Sequence, residues 1–212
     1  VIRDGKADPD VLPCEQKVLT LGTYGRLSFF QFKGVIEALC RELNIKGLQF
    51  APQKNNPSYH PGRCADVLAG GEVIGVFGAI HPTVAARYGL SGEVLTAELQ
   101  FEKLFAAIET EKLYHPLPKF PASTRDIAVL VDDSVPAAAM QAAIEQAAGA
   151  ILENVKLFDV YKGKGIPEGK RSVAYSLSMR AADRTLTDEE CDKAMKNALA
   201  ALESSFGAVL RG

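Results

Sequence analysis

The apolar positions of the chain form two series of strands and helices, one in each half. In the first half, the clearest helix covers residues 29–43. Its apolar residues recur at helical spacing on one face: Phe32, Val35, Ile36, Leu39, Cys40 and Leu43. Shorter helices are predicted over residues 82–88 and 101–108. Strands are predicted over residues 16–24, 48–51, 64–68, 72–79 and 94–100, with residues 53–61 as a loop. The pattern predicts an antiparallel sheet with helices on one side, an α+β layer.

The second half has the order strand, helix, strand, strand, helix, strand. In its first strand, residues 125–131, Ile127, Val129 and Val131 point to one face. Thr187 and Glu190 have the spacing of a capping box that opens the second helix. The other predicted elements are a helix over residues 136–148 and strands over residues 151–161, 171–180 and 208–211. This order is that of a ferredoxin-like βαββαβ domain.

A proline-rich segment separates the two halves. Residues 112–121 contain Pro116, Pro118 and Pro121 and few periodic apolar positions. Proline fixes its own backbone angle and biases the preceding residue away from helix, so we expect an extended arm here. We therefore expect one domain at residues 1–112 and a second at residues 118–212.

Composition and charge exclude a generally basic nucleic-acid-binding protein and argue against a zinc ribbon and a membrane span. The chain has 24 Lys and Arg against 26 Asp and Glu, a net charge of −2, so any RNA contact must use a local basic patch. Its four cysteines are scattered without a C-x-x-C pair, which argues against a zinc ribbon and suits a reducing cytoplasm. No apolar run approaches the roughly 18 residues of a membrane span. Since the chain begins with Val1, we expect it to be part of a longer protein.

The loop that follows the strand at residues 151–161 is the first candidate RNA contact. It carries Lys162, Lys164, Lys170 and Arg171, opposed only by Glu168. These cations could contact RNA phosphates, but a solvated hairpin tip would have the same composition.

The other candidate RNA-binding residues lie on the extended arm and on the open face of the strand at residues 171–180. They are Lys119, Phe120 and Arg125 on the arm, and Ser176, Ser178 and Arg180 on the strand. Small polar side chains let an RNA backbone approach a sheet closely. We expect Tyr175 to face the helices, so base stacking would have to come from elsewhere, with Phe158 and Phe120 as candidates. The plain alternative is a linker followed by an ordinary strand.

No catalytic or metal site is predicted. His60 and Cys64 are four residues apart, but no second pair of ligands is nearby, and a turn histidine beside Pro61 fits the pattern better. No serine, cysteine or lysine has a general-base partner at a sequence spacing that would indicate a catalytic pair.

Several motifs, in one order along the chain, resemble the bacterial phenylalanyl-tRNA synthetase beta subunit in its C-terminal part. In the second half they are Phe120-Pro121 with Arg125-Asp126-Ile127-Ala128, then Leu157-Phe158-Asp159-Val160-Tyr161 with Gly163, then Arg184-Thr185-Leu186-Thr187-Asp188-Glu189-Glu190. In the first half they are His60-Pro61-Gly62-Arg63, and Ile74-Gly75 with Gly78 and His81-Pro82.

This resemblance implies a ferredoxin-fold anticodon-binding domain behind a domain with the class II synthetase fold. The first domain lacks the arginine motifs that bind ATP in that class, so the resemblance implies a non-catalytic domain without a cofactor of its own. The parent enzyme would attach phenylalanine to its tRNA with ATP and magnesium, as a cytoplasmic tetramer of two alpha and two beta subunits. Its partners would be the anticodon stem-loop of phenylalanine tRNA and the catalytic alpha subunit.

Two other modules share the ferredoxin-like fold. A regulatory module that binds a small molecule such as an amino acid would need a glycine-bearing loop after the first strand, and a small phosphatase would need cations there. The loop in this chain is Asp132-Asp133-Ser134, which has no glycine and would repel an anion.

Overall fold

The computed structural model describes residues 2–3, 6–7, 15–111, 114 and 116–211. The chain divides into two units, Val1–Tyr114 and His115–Gly212, called unit 1 and unit 2 below. Residues 112, 113 and 115 of the predicted arm lie outside the described residues.

Unit 1 is an antiparallel sheet with helices. Its strands are β1 (Ile2–Arg3), β2 (Lys6–Ala7), β3 (Val18–Tyr24), β4 (Leu48–Pro52), β5 (Tyr59–Ala69), β6 (Glu72–Ile80) and β7 (Val94–Gln100). Its helices are α1 (Phe29–Glu42), α2 (Pro82–Arg87) and α3 (Phe101–Ala106). The main sheet has the order β3-β7-β6-β5-β4, and among the described residues β1 pairs with β2 in a separate two-stranded sheet. The predicted α+β layer is confirmed.

The core of unit 1 lies between α1 and the sheet. Ser28 begins the helix with a capping box, and the buried stripe of Phe32, Ile36 and Cys40 follows at helical spacing. This stripe belongs to one cluster with Phe77 and other buried residues of the central strands. Helix α1 therefore covers its own sheet. Val35, which was predicted on the apolar face, is instead 41% exposed, because it lies at the margin of the buried stripe.

One prediction for unit 1 was wrong: the strand predicted to begin at residue 64 begins at Tyr59. The register shifts between the pairs Tyr59–Ile80 and Cys64–Gly78, so Pro61 lies in an irregular stretch of β5. Proline and glycine indicate a turn when read locally, but a bulge accommodates them within a paired strand. Pairing with β6 therefore decides the structure of this segment.

Unit 2 is a four-stranded antiparallel sheet with two helices. Its elements are β8 (Ser123–Asp132), α4 (Ala137–Ala148), β9 (Leu152–Tyr161), β10 (Lys170–Met179), α5 (Asp188–Phe206) and β11 (Val209–Leu210). The sheet order is β11-β8-β10-β9, which confirms the predicted ferredoxin-like arrangement. The predicted apolar faces of β8 and β10 are buried against α4 and α5 in one cluster. The opposite side of this sheet, here called the open face, carries the polar positions of the same strands.

Among the described residues, no helix is both long and apolar enough to cross a membrane.

Candidate nucleic-acid interface

The open face of unit 2 is built from rows of side chains across three strands. The register pairs Ser176 of β10 with Asp126 of β8 and with Lys156 of β9, while Ser178 pairs with Asn154 of β9. Ser176 and Ser178 are half-buried and lie on the face that the strand alternation predicted for them. The face therefore offers hydroxyl, amide, ammonium and carboxylate groups close to the strand backbone.

Arg180 fixes the arm to the end of the sheet. Its Nη1 donates a hydrogen bond to the Phe120 carbonyl, and its Nε lies 3.0 Å from Oε1 of Glu153. The other carboxylate oxygen of Glu153 accepts from Ser178 Oγ at 3.3 Å. Lys119, next to Phe120, is exposed. The guanidinium of Arg180 thus orders the arm, and Lys119 is a cation that the described part of the arm presents to solvent.

Arg125 and Arg171 point to the helix side of the sheet, because they share the strand alternation of Ile127 and Val173. Arg125 Nη2 forms an ion pair with Asp188 Oδ1 at 2.6 Å, at the start of α5. Arg171 Nη2 donates to the Val135 carbonyl at 2.5 Å. Both arginines therefore contact the helix layer and are directed away from the open face.

The loop between β9 and β10 and its first flanking residue, residues 162–170, are here called the hairpin tip and carry the remaining predicted cations. Lys162 Nζ forms an ion pair with Asp133 at 2.5 Å, while Lys164 is exposed and has no ion pair among the described residues. Lys170 is half-buried and pairs in register with Asp132. Tyr161 Oη donates to the Lys164 carbonyl at 3.3 Å, which ties the loop to β9. Lys164 is thus the cation at this tip with the greatest freedom to contact a phosphate.

An arginine–tyrosine pair lies on the open face and was not predicted from the sequence. The Arg211 backbone N–H donates to the Ala128 carbonyl at 2.8 Å, which continues β11 along β8. Its Nη1 donates to Ser172 Oγ at 3.1 Å, and its guanidinium carbon lies 5.6 Å from the ring centroid of Tyr161. The side chain therefore reaches from one edge of the sheet across β8 and β10 to β9. Guanidinium and tyrosine planes both stack on nucleobases.

Only the strand alternation could have indicated this pair. Tyr161 pairs in register with Ser172, and Arg211 lies two residues after Val209, which pairs with Leu130 of the open face. The three elements are far apart in sequence and meet only in the assembled sheet. The polar face is thus smaller than predicted, because Ser172 is 3% exposed beneath Arg211.

Tyr175 cannot stack on a base from the open face. It is fully buried on the helix side, as predicted, and its Oη donates to the Ala137 carbonyl at 2.8 Å. Burial raises the pKa of Tyr175 to about 12, so this hydroxyl is neutral and acts as a structural donor.

The loop after β8 carries an ionised carboxylate. Asp132 Oδ1 accepts hydrogen bonds from Ser134 Oγ at 2.5 Å and from the Ser134 backbone N–H at 2.9 Å. These hydrogen bonds, with a smaller contribution from Lys170, lower the pKa of Asp132. Negative charge at this loop repels a phosphate, which argues against the phosphatase alternative.

His60 and Cys64 of unit 1 have structural roles. His60 Nδ1 accepts from the Gly62 backbone N–H at 3.1 Å, as a turn histidine does. Burial, together with the charge of Asp66, raises the pKa of Cys64 to about 11, which keeps the thiol protonated. His81 caps α2, since its Nδ1 accepts from the Thr83 backbone N–H at 3.3 Å.

Comparison with known proteins assigns a family to each half of the chain. Residues 4–101 match the phenylalanyl tRNA synthetase beta chain CLM domain, and residues 118–211 match the ferredoxin-fold anticodon binding domain. The second match separates this half of the chain from small-molecule-binding modules and phosphatases that share its fold.

Curated relatives match over both halves. The chain is 44% identical over 204 residues to the phenylalanine–tRNA ligase beta subunit of Clostridium tetani, covering 96% of this chain and 26% of the relative. It is 46% identical over 183 residues to that of Symbiobacterium thermophilum, covering 86% of this chain and 20% of the relative. The chain is 38% identical over 198 residues to the Bacillus subtilis subunit, covering 93% of this chain and 24% of the relative. The chain thus spans about a quarter of the length of the relatives it matches.

Proposed function

The chain belongs to the family of phenylalanine–tRNA ligase beta subunits, and we propose that unit 2 binds the anticodon arm of the cognate tRNA on its open face. The observation that carries this proposal is the Arg211–Tyr161 pair, which lies over Ser172 beside the small side chain of Ala128. A guanidinium and an aromatic ring on the open face of a sheet suit an unpaired base of an RNA loop.

The predicted residues have different roles in this proposal. Lys164 and Lys119 contact phosphates, because both are exposed cations on loops at the margin of the face. Ser176 and Ser178 offer hydroxyl groups to the nucleotide. Phe120 and Arg180 position the arm. The remaining predicted cations hold the frame or add to the local positive potential: Arg125, Arg171, Lys162 and Lys170.

The proposal extends to the parent enzyme. We infer that it attaches phenylalanine to its tRNA using ATP and magnesium, that the alpha subunit performs this chemistry, and that two alpha and two beta subunits assemble in the cytoplasm. The names of the relatives support the reaction. The lack of class II arginine motifs in the sequence supports a non-catalytic role for unit 1.

Substitution of Tyr161 tests the stacking contact. Tyr161→Leu should weaken binding of the isolated anticodon stem-loop by about tenfold, because one aromatic stack on a base contributes in that range. Tyr161→Phe is the matched control: it loses the same hydrogen bond to the Lys164 carbonyl but keeps the ring, so binding should survive. Equal affinities for both variants, measured by fluorescence anisotropy, would remove the stacking contact from the proposal.

The salt dependence of binding tests the phosphate contacts. Lys164→Ala should flatten the log–log slope of affinity against salt by about 0.7 to 0.9, and it should weaken cognate and non-cognate tRNA alike. Lys196→Ala removes the same charge from the outer side of α5 and should leave the slope unchanged. An identical slope in the two variants would show that the hairpin tip does not contact RNA.

A further inference from the structure

The two ends of the main sheet in unit 1 carry opposite charge. One end, here called the basic end, is formed by residues 24–28, 53–63 and 80–93, whose charged side chains are Arg26, Lys54, Arg63, Arg87 and Glu93. The opposite end is formed by residues 15–17, 42–47, 70–72 and 101–111. Its charged side chains are Glu15, Lys17, Glu42, Lys46, Glu72, Glu102, Lys103, Glu109 and Glu111. In a chain of net charge −2, this separation creates a local positive potential that the composition conceals.

Backbone pairing assembles the basic end from three separate loops. Tyr59 pairs with Ile80 across β5 and β6, and the Gly25 N–H donates to the Glu93 carbonyl at 2.9 Å, next to Arg26. The Gln53 N–H donates to the Cys64 carbonyl at 3.0 Å, which extends the β4–β5 ladder and carries Lys54 alongside Arg63. The cations are therefore held on one side of the unit by backbone hydrogen bonds.

Most of these cations have no carboxylate partner. Arg63 forms an ion pair with Glu93, which joins β5 to the segment before β7. Arg26, Lys54 and Arg87 are exposed and have no ion pair among the described residues. Elsewhere in unit 1, Lys33 and Lys103 are paired with glutamates, whereas Lys17 and Lys46 are exposed without an ion pair among the described residues. The basic end differs in its balance of charge, since Glu93 is the one carboxylate among its charged side chains. The basic end thus presents three uncompensated cations to solvent.

Aromatic rings and a groove accompany the charge. Tyr88, next to Arg87, is 78% exposed, and the ring of Tyr24 lies against Gly92 with about half of its surface exposed. An open groove of about 570 Å³ lies at the same end of the sheet and is lined by Arg63, Ile80, Pro82, Leu90, Ser91 and Glu93. Cations interleaved with exposed aromatic rings are typical of surfaces that bind RNA backbones and unpaired bases.

We propose that the basic end of unit 1 is a second RNA-binding surface, which contacts the tRNA outside its anticodon arm. Arg26, Lys54 and Arg87 contact phosphates, and Tyr88 stacks on an unpaired base. RNA is favoured over an acidic protein segment because an exposed ring beside uncompensated cations suits a nucleotide, which offers a phosphate and a base together. The proposal rests on the proposed function only in taking tRNA as the ligand.

The test uses the full chain and two RNA probes: the cognate tRNA without its anticodon arm, and the isolated anticodon stem-loop. The double variant Arg26→Ala/Arg87→Ala is compared with Lys17→Ala/Lys46→Ala, which removes the same charge from the opposite end of the same sheet. For the armless tRNA, the first variant should flatten the log–log salt slope by about 0.7 to 0.9 for each phosphate that is no longer neutralised. The control variant should keep the salt slope of the unmodified chain. Binding of the stem-loop should be unaffected in both double variants.

The stacking contact has its own variant. Tyr88→Leu should weaken binding of the armless tRNA by about tenfold while leaving the salt slope unchanged, because no charge is removed. Unchanged affinity in Tyr88→Leu would overturn this half of the proposal.

Each failure has a distinct signature. If the unmodified chain does not bind armless tRNA, or if both double variants show the same slope, the RNA surface is overturned and an acidic protein segment becomes the better partner. Loss of stem-loop binding in the Arg26→Ala/Arg87→Ala variant would also overturn it. That result would show that the substitutions impair RNA binding in general and do not act on a separate surface. If armless tRNA binds at the basic end but the stem-loop does not bind at all, the proposed function of unit 2 fails while this inference stands.

Discussion

At the scale of single residues, Gly78 shows how closely the strands of unit 1 approach each other. A Cβ at this position would lie 2.6 Å from the Arg63 carbonyl oxygen and 2.9 Å from the Cys64 Cα. Both are backbone atoms that cannot move without disturbing the β5–β6 pairing. The glycine of the sequence motif is therefore a packing requirement of the sheet.

We expect Gly78→Ala to lower the free energy of unfolding by about 1 to 3 kcal/mol, the usual cost of overpacking a core. Gly34→Ala is the matched control, since a Cβ there would meet nothing within 4 Å on α1. That change should raise stability by up to about 1 kcal/mol through helix propensity. Urea denaturation measures both, and a Gly78→Ala variant as stable as the parent would show that the strands can separate at little cost.

The directions of side chains were only partly predictable from sequence. The alternation that buries Ile127 and Val173 also places Arg125 and Arg171 on the helix side. Both were nevertheless named as candidate RNA contacts, because their charge was read without the alternation. The alternation could not predict the contacts of Arg211, because they depend on how two edge strands are ordered around β8 and β10. Local periodicity predicts which face of the sheet a side chain lies on, whereas the order of the strands decides which side chains it contacts there.

At the scale of elements, α5 begins with a capping box in which each partner satisfies a backbone donor of the other. Thr187 Oγ1 accepts from the Glu190 N–H at 3.3 Å, and Glu190 Oε2 accepts from the Thr187 N–H at 3.0 Å. Thr187→Ala removes one of these hydrogen bonds and should lower the free energy of unfolding by about 1 kcal/mol. Thermal denaturation measures the change, and no loss of stability would mean that solvent replaces the cap without cost.

The charge of Glu190 adds a pH dependence to this cap. Hydrogen bonds from the Thr187 N–H and from Arg184 lower the pKa of Glu190. A lowered pKa in the folded state means that the carboxylate stabilises the fold above its unfolded pKa of about 4.3, and that this contribution is lost as pH falls through the lower folded value. Glu190→Gln should therefore be less stable than the parent at pH 7, and the difference should vanish in acid. A difference independent of pH would assign the effect to shape alone.

The elements themselves were largely predictable, because long alternating or helical patterns and capping signals agreed with one another. β10 and α5 follow their patterns almost to the residue. The start of β5 was missed, since a proline-glycine pair within a bulge has the same local signature as a loop. Tertiary pairing overrides local turn chemistry there.

At the scale of the whole chain, each unit has its own buried core. One cluster contains Phe77 and Leu95 of unit 1, and two others contain the buried residues of unit 2, such as Val173 and Met179. The described residues between them are exposed, with Tyr114 at 84% and Leu117 at 85%. A domain boundary within residues 112–121 is the prediction that this arrangement supports.

Limited proteolysis should cut this boundary first, because Lys119 is accessible to trypsin and Tyr114 to chymotrypsin, and a fragment that starts near residue 118 should resist further digestion. If the cores also unfold independently, Gly78→Ala should shift only the thermal transition of unit 1, and Thr187→Ala only that of unit 2. Hydrogen exchange followed by peptide assigns each transition to its unit. Early cleavage inside residues 173–179 would contradict the predicted boundary, because that segment is the centre of the second sheet. A single transition that moves with either substitution would instead show that the two cores unfold as one cooperative unit, although each is built from its own half of the sequence.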